Sequence, residues 1–326
     1  MNCFVIGNGG WGTALGMVLA GNGHSVTIWG PFEKEVETIR QTGENSVYLA
    51  GVALPSSMNW TSDPTEASNA DLVVVVTPSR FYRSSLETFK PYLRPDVPIV
   101  SATKGLDETT HQRMSEVAAE VLGRDIAILS GPSHAEEVAR GIPTAVTVAG
   151  QNIPCLEKIQ TAFMGKTFRV YTSDDVIGVE LGGTLKNVIA VAAGILDGIG
   201  LGDNSKAALM TRGLAEISRL GAALGAKPET FSGLSGVGDL IVTCASRHSR
   251  NRSVGERLGK GESLEQIMGS MKMVAEGIWN AKAARDLANE HGIDMPITEE
   301  VCQIVEEGKD PRMALQDLMS RDPKAE

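Results

Sequence analysis

The sequence predicts two fold classes in one chain, an α/β domain with a mostly parallel sheet followed by an all-helical domain. Two observations carry this. As far as residue 171, short apolar runs at 3–6, 72–76, 99–103, 126–130, 144–149 and 168–171 alternate with helical stretches, and fully apolar strands are those buried on both faces of a parallel sheet. Beyond residue 173 the alternation stops, and apolar residues recur at helical spacing to the end of the chain. The expected division is therefore 1–173 and 174–326. No Ser/Gly-rich linker separates the halves, so the first long helix is expected to continue directly from the sheet domain.

The first element is the most specific in this half. Residues 3–29 read as a short apolar strand, the pattern Gly7-x-Gly9-x-x-Gly12, a helix over about 13–20, and a second strand ending at Trp29. A lone GxGxxG is common by chance, but one that follows a strand and opens a helix is the fingerprint of a dinucleotide-binding, Rossmann-like domain. Gly7 permits the tight turn, Gly9 lets the backbone approach a pyrophosphate, and Gly12 allows close helix–strand packing. The N–H groups at the helix start, around Gly10 and Trp11, face the anion. An acid for the adenosine ribose is expected at the end of the second strand, where this chain has Gly30, Pro31 and Phe32. Glu33 stands slightly out of place for that task, and Lys34 or Arg40 could answer a 2′-phosphate, so the pattern permits both NAD and NADP.

The later strands end in loops that suit ligand binding, since ligands of such sheets lie beyond the strands' carboxyl ends. Pro78-Ser79, Lys104-Gly105 and the run Gly131-Pro132-Ser133-His134-Ala135 fall there.

Composition narrows the class. The chain has 326 residues, 42% hydrophobic, enough to fill two cores. A formal net charge of −10 argues against a general nucleic-acid binder or an anionic membrane surface. Four cysteines, Cys3, Cys155, Cys244 and Cys302, lie far apart without metal-ligand spacing, so neither a disulfide framework nor a metal site is expected. The expected compartment is the cytoplasm, with no leader and no apolar run approaching the roughly 20 residues that span a bilayer.

The second half is organised around residues 178–221. Ile177, Leu181, Leu185, Val188, Ile189, Ala192 and Leu196 form one apolar stripe of a helix that Thr172, Ser173 or Asp175 can cap. Gly182, Gly183, Lys186, Ala190 and Ala193 share another face, from which Lys186 alone projects. Two helical glycines cost about 1 kcal/mol each relative to alanine, which points to something docking on that strip. A turn-rich segment, 197–204, leads to a second amphipathic helix carrying Leu209, Leu214, Ile217 and Leu220. Further on, Asp239 stands beside two glycines, then Thr243, then Ser249-Arg250-Asn251 in an arginine run. Arginine forks with Ser and Asn donors are what a phosphate dianion needs.

The LKN triplet at 185–187, the GDL…T…SRNR series at 238–252, the MVAEG run at 273–277 and MPITEEV at 295–301 resemble the bacterial-type NAD(P)-dependent glycerol-3-phosphate dehydrogenases. The resemblance covers essentially the whole chain. It implies reversible hydride transfer between NAD(P)H and dihydroxyacetone phosphate, giving sn-glycerol 3-phosphate for glycerophospholipid synthesis, with no metal and with a homodimer plausible. By resemblance Lys186 is the proton donor and acceptor, helped by Lys104 and Asp239. Lys104, Gly131, Ser133, Lys186, Asn187, Asp239, Thr243, Ser249, Arg250 and Asn251 then line the substrate. Gly7, Gly9, Gly10, Trp11, Gly12, Lys104, Ala135, Arg250, Val274 and Glu276 line the cofactor. Two other classes share the architecture. A hydroxyacid or 6-phosphogluconate-type dehydrogenase would lack the SRNR series, and a non-catalytic dinucleotide sensor would be expected to lose the lysines or the acid.

Overall fold

The computed structural model describes residues 1–271 and 275–323. Its contacts divide the chain into two compact units, Met1–Asp107 with Gln112–Glu180, and Glu108–His111 with Leu181–Glu326.

The first unit is built on an eight-stranded sheet of order β3-β2-β1-β4-β5-β6-β7-β8. The strands are β1 Asn2–Ile6, β2 Ser25–Trp29, β3 Met58–Thr61, β4 Leu72–Val75, β5 Ile99–Ser101, β6 Ala127–Ser130, β7 Thr144–Ala149 and β8 Phe168–Ser173. Every neighbouring pair is parallel except β6 and β7. The helices are α1 Gly10–Gly21, α2 Glu33–Thr42, α3 Tyr82–Phe89, α4 Met114–Leu122, α5 Ala135–Ala139 and α6 Ile153–Phe163. Strand alternation sends successive side chains to opposite layers. Cys3, Val5, Leu72 and Val74 pack with Leu15, Leu19, Ile159 and Phe163 on one face. Phe4, Ile6, Val73 and Val75 pack with Tyr82, Leu86, Phe89 and Val117 on the other. Burial on both faces is why these strands read as unbroken apolar runs. The strand order reverses direction between β1 and β4, which makes the carboxyl ends of these two strands the switch point where ligands of such sheets bind.

Part of the β8 edge of the sheet is covered by the chain itself. The Thr167 and Ser173 carbonyls accept from Thr144 and Gly150, on the side facing β7. On the outer side, the Phe168 carbonyl accepts from Gly165 N–H at 2.9 Å. The Val170 carbonyl accepts from Gln160 Nε2 at 2.8 Å, and its N–H meets Met164 Sδ at 3.2 Å.

The long helix α7, Val176–Gly198, begins where Asp175 Oδ1 accepts from Gly178 N–H at 2.9 Å. Its first turn packs into the sheet layer through Val179. Glu180 accepts from Ser115 N–H at 2.8 Å and pairs with Arg113 at 2.8 Å, so the division falls inside the helix, beyond Ser173. α7 is long and apolar enough to cross a membrane, against the expectation of no such run; 89% of its most apolar window is buried inside the fold. Scattered small and polar residues such as Gly182, Thr184 and Asn187 hid that run in the sequence.

The second unit continues with α8 Asp203–Ala223, α9 Pro228–Phe231, α10 Asp239–Ala245, α11 Arg250–Gly259, α12 Leu264–Ser270, α13 Glu276–Glu290, α14 Pro296–Glu307 and α15 Pro311–Met319. A five-residue π-turn, Leu234–Gly238, precedes α10. Glycines let helices α7 and α11 meet backbone to backbone. A Cβ on Gly194 or Gly198 would overlap carbonyl oxygens of Arg252 or Glu256, and one on Gly255 or Gly259 would strike Val191 or Ile195.

Glu216 on α8 ties down α14. Its carboxylate accepts from Ile297 N–H at 2.7 Å, Thr298 N–H at 3.2 Å and the Thr298 hydroxyl at 3.1 Å. Burial nevertheless pushes its pKa from 4.5 up to about 7. Between those values the folded chain holds a proton that the unfolded chain has released, so this group's contribution to stability falls as pH rises from about 4.5 to about 7. The expected result is a melting temperature that Glu216→Gln makes less sensitive to pH in that window than wild type. Equal slopes for the two proteins would rule the assignment out.

Candidate active-site residues

In the sheet unit, the three fingerprint glycines have different surroundings. Gly7 sits at φ 122°, where a Cβ would lie 2.6 Å from the Val76 carbonyl oxygen. Gly12 packs so closely that a Cβ would overlap the Gly7 carbonyl oxygen. Gly9, at φ −65° and ψ 172°, precedes α1 and has nothing within 4 Å of where its Cβ would be. That open space, at the positive end of a 12-residue helix whose first N–H groups have no acceptor within it, suits a pyrophosphate. Gly10 faces the Tyr48 carbonyl oxygen and Ala135 Cβ, 2.6 and 3.7 Å from its would-be Cβ, which brings Ala135 against the fingerprint. Trp11 is half-buried on the same core.

Beyond β2, Arg40 donates to the Trp60 carbonyl at 2.9 and 2.5 Å and pairs with Glu33 and Glu37 at 3.3 Å. Glu33 also accepts from the Ser62 hydroxyl. Of the three candidates after β2, Glu33 and Arg40 are thus engaged with each other, and Lys34 is not part of that pair. Farther along the strand ends, Lys104 Nζ donates to the Gly131 carbonyl at 3.2 Å, and the Ser133 hydroxyl donates to the same oxygen at 3.0 Å. Gly131 takes φ 149° and approaches Val146 Cα to within 2.9 Å of a would-be Cβ. The three residues assigned together by resemblance meet at one carbonyl.

In the helical unit, the strip around Lys186 is filled. A Cβ on Gly182 would overlap the Ser235 carbonyl oxygen, so the π-turn before α10 is what docks on the bare face. It delivers Asp239 to the lysine. Lys186 Nζ donates to Asp239 Oδ1 at 2.5 Å and to Thr243 Oγ1 at 2.5 Å. Thr243 in turn donates to the Asp239 carbonyl at 2.7 Å. Lys186, Asp239 and Thr243 are 6%, 1% and 3% exposed. A buried cation with a fixed direction is an electrostatic tool for an oxygen that gains negative charge.

The neighbouring polar residues are linked in series. Asn251 Nδ2 donates to Asn187 Oδ1 at 2.9 Å, and Asn251 Oδ1 accepts from Gly277 N–H at 2.9 Å. This places Asn187 and Asn251 beside the start of α13, where Glu276 is the first residue. Val274, expected at the cofactor, lies outside the described residues. Ser249 caps α11, its hydroxyl accepting from Arg252 N–H at 3.2 Å, and Arg250 is the first residue of that helix, exposed.

Sequence reasoning missed the role of Arg252, which pairs with Asp197 at 2.6 Å. Lys206 holds the same carboxylate at 2.5 Å. Asp197 standing close in sequence to Asp203 and Lys206 was the available signal. It also missed Asn45, whose amide reaches the fingerprint.

Comparison with known proteins decides the family. Residues 2–155 match the model of the NAD-dependent glycerol-3-phosphate dehydrogenase N-terminus, and residues 175–316 that of its C-terminus. The chain belongs to the NAD-dependent glycerol-3-phosphate dehydrogenase family. It is 51% identical over 318 residues to glycerol-3-phosphate dehydrogenase [NAD(P)+] of Moorella thermoacetica, covering 97% of this chain and 95% of that protein. It is 50% identical to the Thermoanaerobacter sp. protein of the same name, over 100% of this chain and 99% of that one. Among solved structures, glycerol-3-phosphate dehydrogenase from Coxiella burnetii superposes with a TM-score of 0.95 at 38% identity, covering 98% of this chain and 99% of that one. At 12% identity and a TM-score of 0.66, D-mandelate dehydrogenase shares the fold alone. Membership of the glycerol-3-phosphate dehydrogenase family explains why the glycines are divided between turn, anion space and helix packing, and why the helical unit buries a lysine among polar side chains.

Proposed function

We propose that this chain catalyses the reversible reduction of dihydroxyacetone phosphate to sn-glycerol 3-phosphate, with NADH or NADPH, in the cytoplasm and in support of glycerophospholipid synthesis. The observation that carries the reading is the buried Lys186 ammonium held by Asp239 and Thr243 at 2.5 Å each. The nicotinamide, when bound, supplies the hydride. The residues do the rest. As hydride reaches C2, its oxygen gains negative charge, and Lys186 gives that oxygen a proton. Asp239 and Thr243 keep the ammonium pointed. In the reverse direction the same amine takes the proton back, so Lys186 serves as acid and base in turn.

The phosphate falls to Arg250 and Asn251. A guanidinium at the start of a 10-residue helix adds its charge to the positive helix end. Asn187, Ser249, Thr243, Lys104, Gly131 and Ser133 are the further substrate residues of this reading. The cofactor is held by Gly7, Gly9, Gly10, Trp11 and Gly12 at its pyrophosphate, with Ala135, Lys104, Arg250, Val274 and Glu276 as further contacts.

The test is nicotinamide oxidation by the purified chain. Dihydroxyacetone phosphate should drive it, whereas unphosphorylated dihydroxyacetone and 6-phosphogluconate-type substrates should not. Beyond β2, Arg40 pairs with Glu33, and with both bases and acids in that segment, NADH and NADPH should each support turnover. Turnover with NADH alone would overturn that reading of the segment after β2.

A further inference from the structure

We propose that Asn45 is a positioning residue for the cofactor's pyrophosphate, acting through the peptide unit between Asn8 and Gly9. It rests on the reading of Gly7–Gly12 as the dinucleotide turn. Asn45 is 1% exposed and lies in the loop after α2, outside the fingerprint. Its Nδ2 donates one hydrogen to the Asn8 carbonyl at 2.8 Å and the other to Thr13 Oγ1 at 2.9 Å. Thr13, wholly buried, turns its own hydroxyl toward the same carbonyl at 3.4 Å.

The geometry of a trans peptide converts this into a statement about the site. In a planar trans unit the C=O and the following N–H point in opposite directions. With the Asn8 carbonyl drawn inward by Asn45, the Gly9 N–H must point the other way, to the side where an anion meets the start of α1. Gly9 itself leaves its side open, with nothing within 4 Å of a would-be Cβ. Asn45 therefore sets the direction of a donor that no side chain at position 9 could set.

The loop that carries Asn45 is built to hold still. Gly43 N–H donates to the Ile39 carbonyl, and Leu54 N–H returns to the Gly43 carbonyl at 3.0 Å. Glu44 bridges Ala53 in antiparallel fashion and accepts from Gly51 N–H at 2.8 Å, while Leu49 N–H donates to the Asn45 carbonyl at 2.8 Å. The same loop lays the Tyr48 carbonyl against Gly10, where a Cβ would come within 2.6 Å. A rigid strap thus grips the turn from one side and leaves the other to the phosphates.

The test compares Asn45→Leu, Asn45→Ser and Gly9→Ala with wild type in the full-length chain. NADPH and ADP-ribose affinities, steady-state kinetics and melting temperature are read on each. Losing the alignment of one donor to an anion should weaken NADPH and ADP-ribose by a common factor of about ten- to a hundredfold in Asn45→Leu. Asn45→Ser, which keeps one donor, should lose less. In both, kcat at saturating NADPH and KM for dihydroxyacetone phosphate should stay within about twofold of wild type, a split that general loosening of the fold would not give. If Asn45→Leu fails to fold, Asn45→Ser decides alone. Wild-type affinity in Asn45→Ser, or a fall in kcat matching the fall in affinity, would overturn the positioning role. If Gly9→Ala also bound NADPH as wild type does, the fingerprint reading itself would fail, and that outcome is distinct from a Gly9→Ala that loses binding while the Asn45 variants keep it.

Discussion

Lys186→Met should lower kcat by at least about 10³-fold while leaving NADPH binding intact. The variant loses both a general acid, worth about 10²–10⁴-fold, and a fixed cation beside the developing alkoxide, of similar size. Methionine keeps the length and the helix propensity. It does not keep the charge that Asp239 needs. Asp239 is 1% exposed and its carboxylate meets Lys186 at 2.5 Å, and stripping one partner from a buried pair costs about 3–5 kcal/mol. The melting temperature of Lys186→Met should therefore fall. Pairing it with Asp239→Asn removes the stranded charge, so the double variant should regain most of that stability and none of the rate. Either variant retaining more than about a tenth of wild-type kcat would remove Lys186 from the chemistry, since no term of the expected size could then belong to it.

Gly9→Ala and Gly12→Ala should fail in opposite ways. The added methyl at Gly9 enters empty space at a backbone conformation alanine adopts freely, so the melting temperature should hold within a degree or so. It occupies the volume where a pyrophosphate must come close to the backbone, and NADPH affinity should fall by roughly a hundredfold, about 2.7 kcal/mol. At Gly12 the methyl would overlap the Gly7 carbonyl oxygen, forcing α1 away from β1 and destabilising the fold even without cofactor. Calorimetric melting and fluorescence titration on the two variants separate these outcomes. A Gly9→Ala protein that melted early and bound normally would reverse the assignment of the two glycines.

Much of this was legible because the causes are local. Gly7 makes a turn, Gly12 a close helix contact, and Gly9 borders open space, all within six positions of one another, so their spacing alone carries the information. The alternation of apolar strands with helices likewise follows from a sheet covered on both faces. What stayed hidden depends on partners distant in sequence. The strip at Gly182 looked bare, and only folding brings Ser235 onto it. Strand direction has no signature in a fully apolar run, so the antiparallel pairing of β6 with β7 could not be read. β3 is four residues long, too short for its periodicity to stand out. Asn45 sits among Glu44, Ser46 and Val47 with no pattern around it, and its meaning lies in an atom of Asn8. Arg252 illustrates the converse, since it shares the SRNR series with Arg250 yet belongs to Asp197.

The outer side of β8 bears on how copies of this chain can associate. An uncovered strand edge is a template for another strand, and proteins that leave one bare risk sheet-to-sheet polymerisation. Here Gln160 and Met164 occupy the Val170 carbonyl and N–H, and Gly165 takes the Phe168 carbonyl. At Phe168 and Val170 an incoming strand would have to displace the chain's own donors and acceptor. At Phe168 and Val170 a second eight-stranded sheet would find these bonds already made, so an apolar sheet is less adhesive along this stretch of its margin.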